Sequence, residues 1–243
     1  MNSQIMYNIL ALISIVIACG LIFVVNRSIT RFLWGLAPLF WALQLSCHFS
    51  TAGLYSLSGV APTCAIGAII LSLCQCISLK NDEGSRRPRF NGIWLLLLAF
   101  VSLVPDQVRH DSFMMTYLFA ILFFLSRPLS LGFTLYSLAG MAHLIVDKEA
   151  DNRILKTSKD AALVASILFL GGEIVGCYWG FMGWGTTWRW SGNFQFSAML
   201  FVLFMVSLHI PATLFRTRLG RNLAFSLPLL GVSLCLVLSK VAA

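Results

Sequence analysis

Nine apolar runs, most of them close to the length that crosses a bilayer, constrain this chain more than any other feature. Hydrophobic residues make up 58% of the sequence and charged residues only 11%. A membrane-spanning helix needs about 20 consecutive apolar residues, and lipid tolerates only helices and closed barrels. The chain is therefore expected to form a single all-α domain over 1–243, a polytopic transmembrane helix bundle. The runs cover roughly 5–25, 32–52, 61–79, 92–106, 112–126, 128–146, 160–180, 194–215 and 222–240.

Basic residues predict the topology of this bundle. Four connections hold 13 of the 17 Lys and Arg residues, and such an excess is typical of cytoplasmic loops. The chain must then cross an even number of times between 80–89 and 148–159, although three runs lie there. The run 112–126, of about 15 residues, is therefore predicted to be re-entrant or interfacial. About eight spanning helices result, with both termini and the segment 176–196 on the external side.

Loop charge of this kind also explains the net charge of +8, so nucleic acid is not an expected partner. The seven cysteines lie mostly inside apolar runs, where a thiol packs as a small hydrophobe. A redox or metal pair at Cys74 and Cys76 is the alternative, although no histidine is nearby.

The segment 176–196 is the first functional candidate. It contains four of the seven tryptophans, with glycines between them. Indoles at a membrane surface can form an ordinary aromatic belt, which is one interpretation. Four rings so close together also predict a flat aromatic surface that can stack on a planar ligand. These tryptophans are Trp179, Trp184, Trp188 and Trp190.

His209 is the strongest candidate among the four histidines. It lies within an apolar run, and imidazole is a standard axial ligand of haem iron. His48 is expected near the outer end of the second helix, either bonded to a neighbouring helix or functional. His143 is expected to reach the cytoplasmic interface, and His110 falls in a polar connection where a solvated ring is the ordinary outcome.

Glu173 is the only acidic residue in the interior of an apolar run, away from its ends. A charge at mid-bilayer costs about 2.5–3.5 kcal/mol on insertion scales, so such a residue is either neutralised or paired. Two interpretations stay open. Glu173 is protonated and bonded within its helix, or it pairs with a base on the external side such as Arg189.

These residues together resemble the CcsA (ResC) type of cytochrome c assembly protein. That family carries the motif G-x-x-W-x-x-x-x-W-G-x-x-W-x-W-D, followed by a helix that ends in a histidine. The N-terminal half fits more loosely, through His48 and a following G-x-x-P connection at 59–62. The positions that match the motif in register are Gly176, Trp179, Trp184, Gly185, Trp188 and Trp190, and His209 has the spacing of the family's transmembrane histidine.

The chain departs from the family at several positions. Ser191 replaces the closing aspartate of the motif, and Phe196 stands where the family has another tryptophan. Pro128 and Lys240 occupy the places of the family's two external histidines. The resemblance leaves His110 and His48 as the substitutes for that external pair.

The resemblance implies a haem-handling function in the bacterial inner membrane. Haem b would be a transient cargo whose iron is bound by His209, whose macrocycle stacks on the four indoles, and whose propionates meet Arg189 and backbone N–H groups near Gly185. It would be presented externally to the CxxCH motif of apocytochrome c, together with a ResB- or CcsB-like membrane subunit. The resemblance leaves open whether the chain belongs to a cytochrome c synthase (haem lyase). The alternatives are a diverged haem-binding or regulatory membrane protein and a small-molecule transporter with an aromatic belt.

Overall fold

The computed structural model describes residues 3–24, 26–53, 57–79, 86–104, 118–147, 152–186 and 192–241. Within these ranges the secondary structure consists of eight α-helices and short 3-10 turns, without a strand. The helices are α1 (Ser3–Phe23), α2 (Arg27–Ala52), α3 (Val60–Ser78), α4 (Arg87–Val101), α5 (Leu118–Val146), α6 (Asn152–Trp184), α7 (Gly192–His209) and α8 (Arg218–Val241).

Six of the eight helices, α1, α2, α3, α5, α6 and α8, are long and apolar enough to cross a membrane. The apolar part of α7, Phe194–His209, is shorter, and α4 has 15 residues. Large apolar side chains such as Val16 and Ile174 are exposed on the outside of the bundle, as expected where lipid is the solvent. The predicted all-α, multi-pass architecture is confirmed at this level.

Helix α5 lies at the centre of the bundle. It packs against α3 and α4 on one side and against α6 and α8 on the other. Helices α1 and α2 complete the first group, and α7 packs between α6 and α8 in the second. Small and polar residues, including Ser130, Thr134, Ser137 and Gly140, are fully buried along α5. Such residues let membrane helices approach closely and hydrogen-bond to one another.

The helix ends that flank the four basic connections lie at one end of the bundle, which we call the basic end. The Cys76 thiol donates to the carbonyl of Trp34 (3.0 Å), which joins the end of α3 to the start of α2. Arg87, the first residue of α4, places its guanidinium 3.9 Å from the centre of the Tyr136 ring in the second half of α5. The predicted clustering of positive charge on one side is thus a feature of the fold.

The opposite end, which we call the aromatic end, is held by different contacts. Tyr7 near the start of α1 donates its hydroxyl to the carbonyl of Ser102, just after α4 (2.9 Å). Lys240 near the end of α8 lies 5.6 Å from the centre of the Phe124 ring near the start of α5. Successive helices therefore run in opposite directions between the two ends.

The prediction that 112–126 forms a separate re-entrant or interfacial segment is wrong for the residues of this run that the structure describes. Residues 118–126 continue through Pro128 to Val146 as one helix. Proline removes one backbone donor and crowds the carbonyl four residues earlier. A proline in the sequence therefore predicts the end of a helix. In a membrane bundle, neighbouring helices and Ser or Thr side chains satisfy the freed groups. Helices α4 and α5 still run in opposite directions, so the start of α4 and the end of α5 lie at the same end of the bundle.

Helices α5 and α6 approach closely at two glycines. A Cβ atom at Gly172 would overlap the hydroxyl of Ser126, and one at Gly176 would lie 2.5 Å from the Phe123 ring. The two glycines are four residues apart on one face of α6. This small-xxx-small spacing is a common device for packing helices in membranes, and it sets the distance between α5 and α6 at the aromatic end.

Replacing Gly172 by alanine is expected to lower the melting temperature of the detergent-purified protein. The added methyl group has no room beside Ser126, and overpacking of this kind costs about 1–3 kcal/mol. For a chain of this size that corresponds to roughly 2–12 °C. The matched control is Gly171→Ala, because a Cβ there meets nothing within 4 Å. Equal melting temperatures for the two variants would show that the contact is looser than described.

Candidate functional site

An ion pair joins three helices within the membrane-spanning part of the bundle. The Arg127 guanidinium donates to one carboxylate oxygen of Glu173, from Nη2 at 2.9 Å and from Nε at 3.3 Å. Nη2 also donates to the Ser197 hydroxyl (2.8 Å). The side chains of Arg127 and Glu173 are only 12% and 22% exposed. Helices α5, α6 and α7 therefore share one charged connection.

This pair bears on the two interpretations of Glu173. Among the described residues Glu173 pairs with Arg127, and the candidate partner Arg189 lies outside them. Glu173 falls near the middle of the apolar part of α6, between 161 and 184. Ionisable residues at such depth are usually functional or paired with each other. Arg127 is absent from the sequence prediction because it lies between two predicted runs.

A group of aromatic rings adjoins this ion pair through Phe123. The Trp179 ring lies 6.1 Å from Phe123 and 5.9 Å from Phe124, measured between ring centres. Trp184 meets Trp179 edge to face at 5.6 Å. The Phe123 ring also lies 4.5 Å from the guanidinium carbon of Arg127. We call Phe123, Phe124, Trp179 and Trp184 the aromatic cluster.

Helical periodicity produces the cluster. Gly172, Gly176 and Trp179 follow each other at spacings of four and three, so they share the face of α6 that meets α5. The glycines bring α5 close, and Trp179 then reaches Phe123 and Phe124. Trp184 is half exposed at the end of α6. The cluster therefore has a partly buried side, Trp179, and an open side, Trp184.

The predicted tryptophan loop is only partly a loop. Residues 176–184 are the last turns of α6, and 192–196 are the first turns of α7. Gly185 has φ of +72°, and its N–H donates to the carbonyl of Phe181 (2.8 Å). A left-handed glycine is a common way to end a helix. Gly185 therefore ends α6. Trp188, Arg189 and Trp190 lie outside the described residues.

The two places that the resemblance assigns to external histidines both lie near Phe124. Pro128 is one turn after Phe124 on α5, and Lys240 on α8 is 5.6 Å from the Phe124 ring. Pro128 has no side-chain donor for iron. Lys240 adds a second cation near the aromatic cluster, beside Arg127.

His209 occupies a different position from the one predicted. It is the last residue of α7 and its side chain is exposed, whereas the apolar run 194–215 predicted a place inside a longer helix. Ile210 and Pro211 follow, and Pro211 cannot continue the helix ladder. The His209 Nδ1 lies 3.0 Å from the carbonyl of Met205. A carbonyl only accepts, so this bond places a proton on Nδ1, and in the neutral ring Nε2 then carries the lone pair that can bind a metal.

The aromatic cluster and His209 lie at opposite ends of α7. Trp184 ends α6 near the start of α7, and His209 ends α7. The 18 residues of α7 span about 27 Å. The structure therefore brings Trp179 and Trp184 together and keeps His209 apart from them, at the basic end.

The other histidines are distributed between the two ends. His48 is half buried near the end of α2, with its ring 6.3 Å from Tyr7 and 6.0 Å from Phe49. His143 is buried near the end of α5, at the basic end. The prediction that it reaches the cytoplasmic interface is therefore wrong. His110, the proposed partner of His48, lies outside the described residues. In the part of the chain that is described, no three His, Cys, Asp or Glu residues are grouped to hold a metal ion.

No protein-family model, curated protein or solved structure matches this chain. Function is therefore inferred from the residues and their geometry.

Proposed function

We propose that this chain is a haem-handling membrane protein of the cytochrome c assembly type. The observation that carries the proposal is the aromatic cluster, in which Trp179 and Trp184 of the family motif pack with Phe123 and Phe124. The Phe124 ring in turn lies 5.6 Å from the ammonium group of Lys240. Haem is a flat apolar ring with two acidic propionates. Aromatic faces suit the ring, and cations suit the propionates.

The proposed topology has eight crossings, with α4 and α7 spanning as well as the six longer helices. The basic end is cytoplasmic, because positive connections are retained on that side. Both termini and the aromatic end are then external. The short helix α4 and the apolar part of α7 can cross where the bundle thins the bilayer locally.

Each end would hold haem by different groups. At the aromatic end, Trp179 and Trp184 would contact the macrocycle, and Lys240 would attract a propionate. At the basic end, the Nε2 atom of His209 would bind the iron of haem b. Imidazole is the ordinary axial ligand for haem iron, and the bond from Nδ1 to Met205 keeps the ring oriented.

The protein would position the cargo while the acceptor does the bond-making. In attachment, each acceptor cysteine sulfur bonds to one vinyl carbon of haem, and the cysteine proton goes to the other vinyl carbon. The acceptor would be a CxxCH apocytochrome c at the external face. A ResB- or CcsB-like membrane subunit would be the partner in such a cytochrome c synthase complex.

A second candidate, a haem-binding or regulatory membrane protein without attachment activity, is favoured by specific residues. Pro128 supplies no iron ligand where the family has a histidine, and Ser191 replaces the motif aspartate. The two candidates differ in one phenotype. Deleting the gene would block maturation of c-type cytochromes in the first case and leave it intact in the second.

The test of haem handling is the Soret absorbance of detergent-purified protein, with the variant Trp179→Leu/Trp184→Leu beside the wild type. We expect wild-type protein to bind added haem, and the variant to bind it about 5- to 150-fold more weakly. Aromatic contacts contribute about 0.5–1.5 kcal/mol each beyond area burial, and each 1.4 kcal/mol is tenfold in affinity.

The matched control is Phe32→Leu/Phe100→Leu, since both rings are exposed on other helices. Its haem affinity should equal that of the wild type. Absence of a Soret band in every wild-type preparation, or an unchanged affinity in the tryptophan variant, would contradict the proposal. The second outcome would favour an aromatic belt of the kind a transporter carries.

A further inference from the structure

A cavity of about 260 Å³ opens at the basic end between α5, α6, α7 and α8. Its inner wall is apolar, because Met141, Leu144 and Phe225 are buried there. Its rim carries three exposed cations, Lys159, Arg218 and Arg221. The described residues that line it include no acidic side chain.

The polar groups inside the cavity are bonded to the bundle itself. The Ser207 hydroxyl donates to the carbonyl of Phe225 (2.7 Å), and the Asn222 amide nitrogen donates to the carbonyl of Leu144 (3.4 Å). These bonds hold α7 and α5 against α8. The cations on the rim can therefore attract the charged part of a ligand, and the apolar wall can contact its apolar part.

Helix dipoles add to the positive potential of the rim. The cavity is lined by the first turns of α6 and α8, through Asn152 and Arg218, and neither first turn contains an acidic residue. Helix N-termini favour anions and disfavour cations. The cations at Arg218 and Arg221 thus add to a site that already attracts negative charge. Topology alone explains why basic residues lie on this side, but it does not explain an apolar cavity among them.

We propose that this cavity binds an anionic phospholipid by its phosphate headgroup. Lys159, Arg218 and Arg221 would meet the phosphate, and an acyl chain would lie along the wall formed by Met141, Leu144 and Phe225. Basic pockets between membrane helices on the cytoplasmic side bind anionic headgroups in this way. The site is separate from the aromatic cluster and does not depend on haem handling.

The test is native mass spectrometry of delipidated full-length protein titrated with phosphatidylglycerol or phosphatidylcholine. We expect the variant Lys159→Gln/Arg221→Gln to bind phosphatidylglycerol about 30-fold more weakly than the wild type, or about fivefold for each cation removed. The matched control, Arg31→Gln/Arg89→Gln, removes the same charge from exposed positions on α2 and α4 outside the cavity. Its affinity should stay at the wild-type value.

Equal binding of the two lipids, or an equal loss in both double variants, would overturn the proposal. Competition arms identify the source of the anion. Displacement of phosphatidylglycerol by an equal concentration of inorganic phosphate would show that the cavity is a site for free phosphate, and it would overturn the lipid assignment. Displacement by haem at one-to-one stoichiometry would assign the cavity to haem and likewise overturn the lipid assignment.

Discussion

Replacing Glu173 by leucine is expected to lower the melting temperature of the detergent-purified protein by roughly 6–20 °C. The change leaves the Arg127 guanidinium between three helices without its carboxylate, and arginine cannot lose its proton in proteins. Removing one partner of a buried ion pair typically costs about 3–5 kcal/mol. Each kcal/mol is worth about 2–4 °C for a chain of this length. The measurement is the fraction of protein that remains monodisperse after heating.

Three further variants separate the ion pair from general damage. Arg127→Met should cost less than Glu173→Leu, because an isolated carboxyl group can become neutral by binding a proton. The double variant Arg127→Met/Glu173→Leu should recover most of the stability, since apolar residues of similar volume often replace a buried pair without loss. Ile174→Leu, at the neighbouring lipid-facing position, should change nothing. Additive losses in the double variant would show that the two residues are not coupled.

The ion pair also bears on the aromatic cluster. Arg127 is the residue that meets Glu173, Ser197 and the ring of Phe123. Its loss is expected to loosen the contact between α5 and α6 where Trp179 packs on Phe123. A weaker haem signal in Glu173→Leu would then follow from lost packing, and recovery of the signal in the double variant would identify that cause.

Hydropathy predicts the early helices closely. The runs 5–25, 32–52 and 61–79 correspond to α1, α2 and α3, with ends that differ by a few residues. Bilayer thickness fixes the length of an apolar span, so local composition is sufficient here. The charge of the connections predicts that they share one side, and the contacts of Cys76 and Arg87 place the neighbouring ends of α2, α3, α4 and α5 at one end of the bundle.

Residues 127 and 128 show where local composition is insufficient. Arg127 and Pro128 are a charge and a helix breaker in sequence, so they predict a boundary between two segments. The structure continues α5 through both, because Glu173 and Ser197 from other helices satisfy Arg127. These partners are 46 and 70 residues away along the chain. Only tertiary packing brings them together.

The sequence pattern predicts the ends of α6 and α7 at the wrong residues for a similar reason. Glycines among the tryptophans predict a loop, yet Gly176 and Gly180 lie within α6, and the helix ends only at the left-handed Gly185. A glycine inside a helix costs little when it permits close packing against a neighbour. Conversely, the apolar run 194–215 predicts a longer helix than α7, which ends before Pro211. His209 is therefore terminal.

Replacing His209 by alanine is expected to remove the larger part of the haem bound at the basic end. With Nδ1 donating to the carbonyl of Met205, the neutral ring of His209 presents Nε2 as its metal-binding atom. Alanine offers no axial ligand in its place. The measurement is the Soret absorbance per protein of the purified variant beside the wild type, with the melting temperature as the check on folding. The exposed position at the end of α7 predicts that folding is preserved.

Two comparisons decide whether the loss reflects ligation by His209. Added imidazole should restore the Soret band of His209→Ala, because the position is open to small molecules. His48→Ala carries the same substitution at the opposite end of the bundle, and it should leave the haem of the basic end in place. Full Soret absorbance in His209→Ala would refute ligation by His209. If Trp179→Leu/Trp184→Leu lost its haem in the same experiment, haem would bind only at the aromatic end, since about 27 Å of α7 separate the two positions.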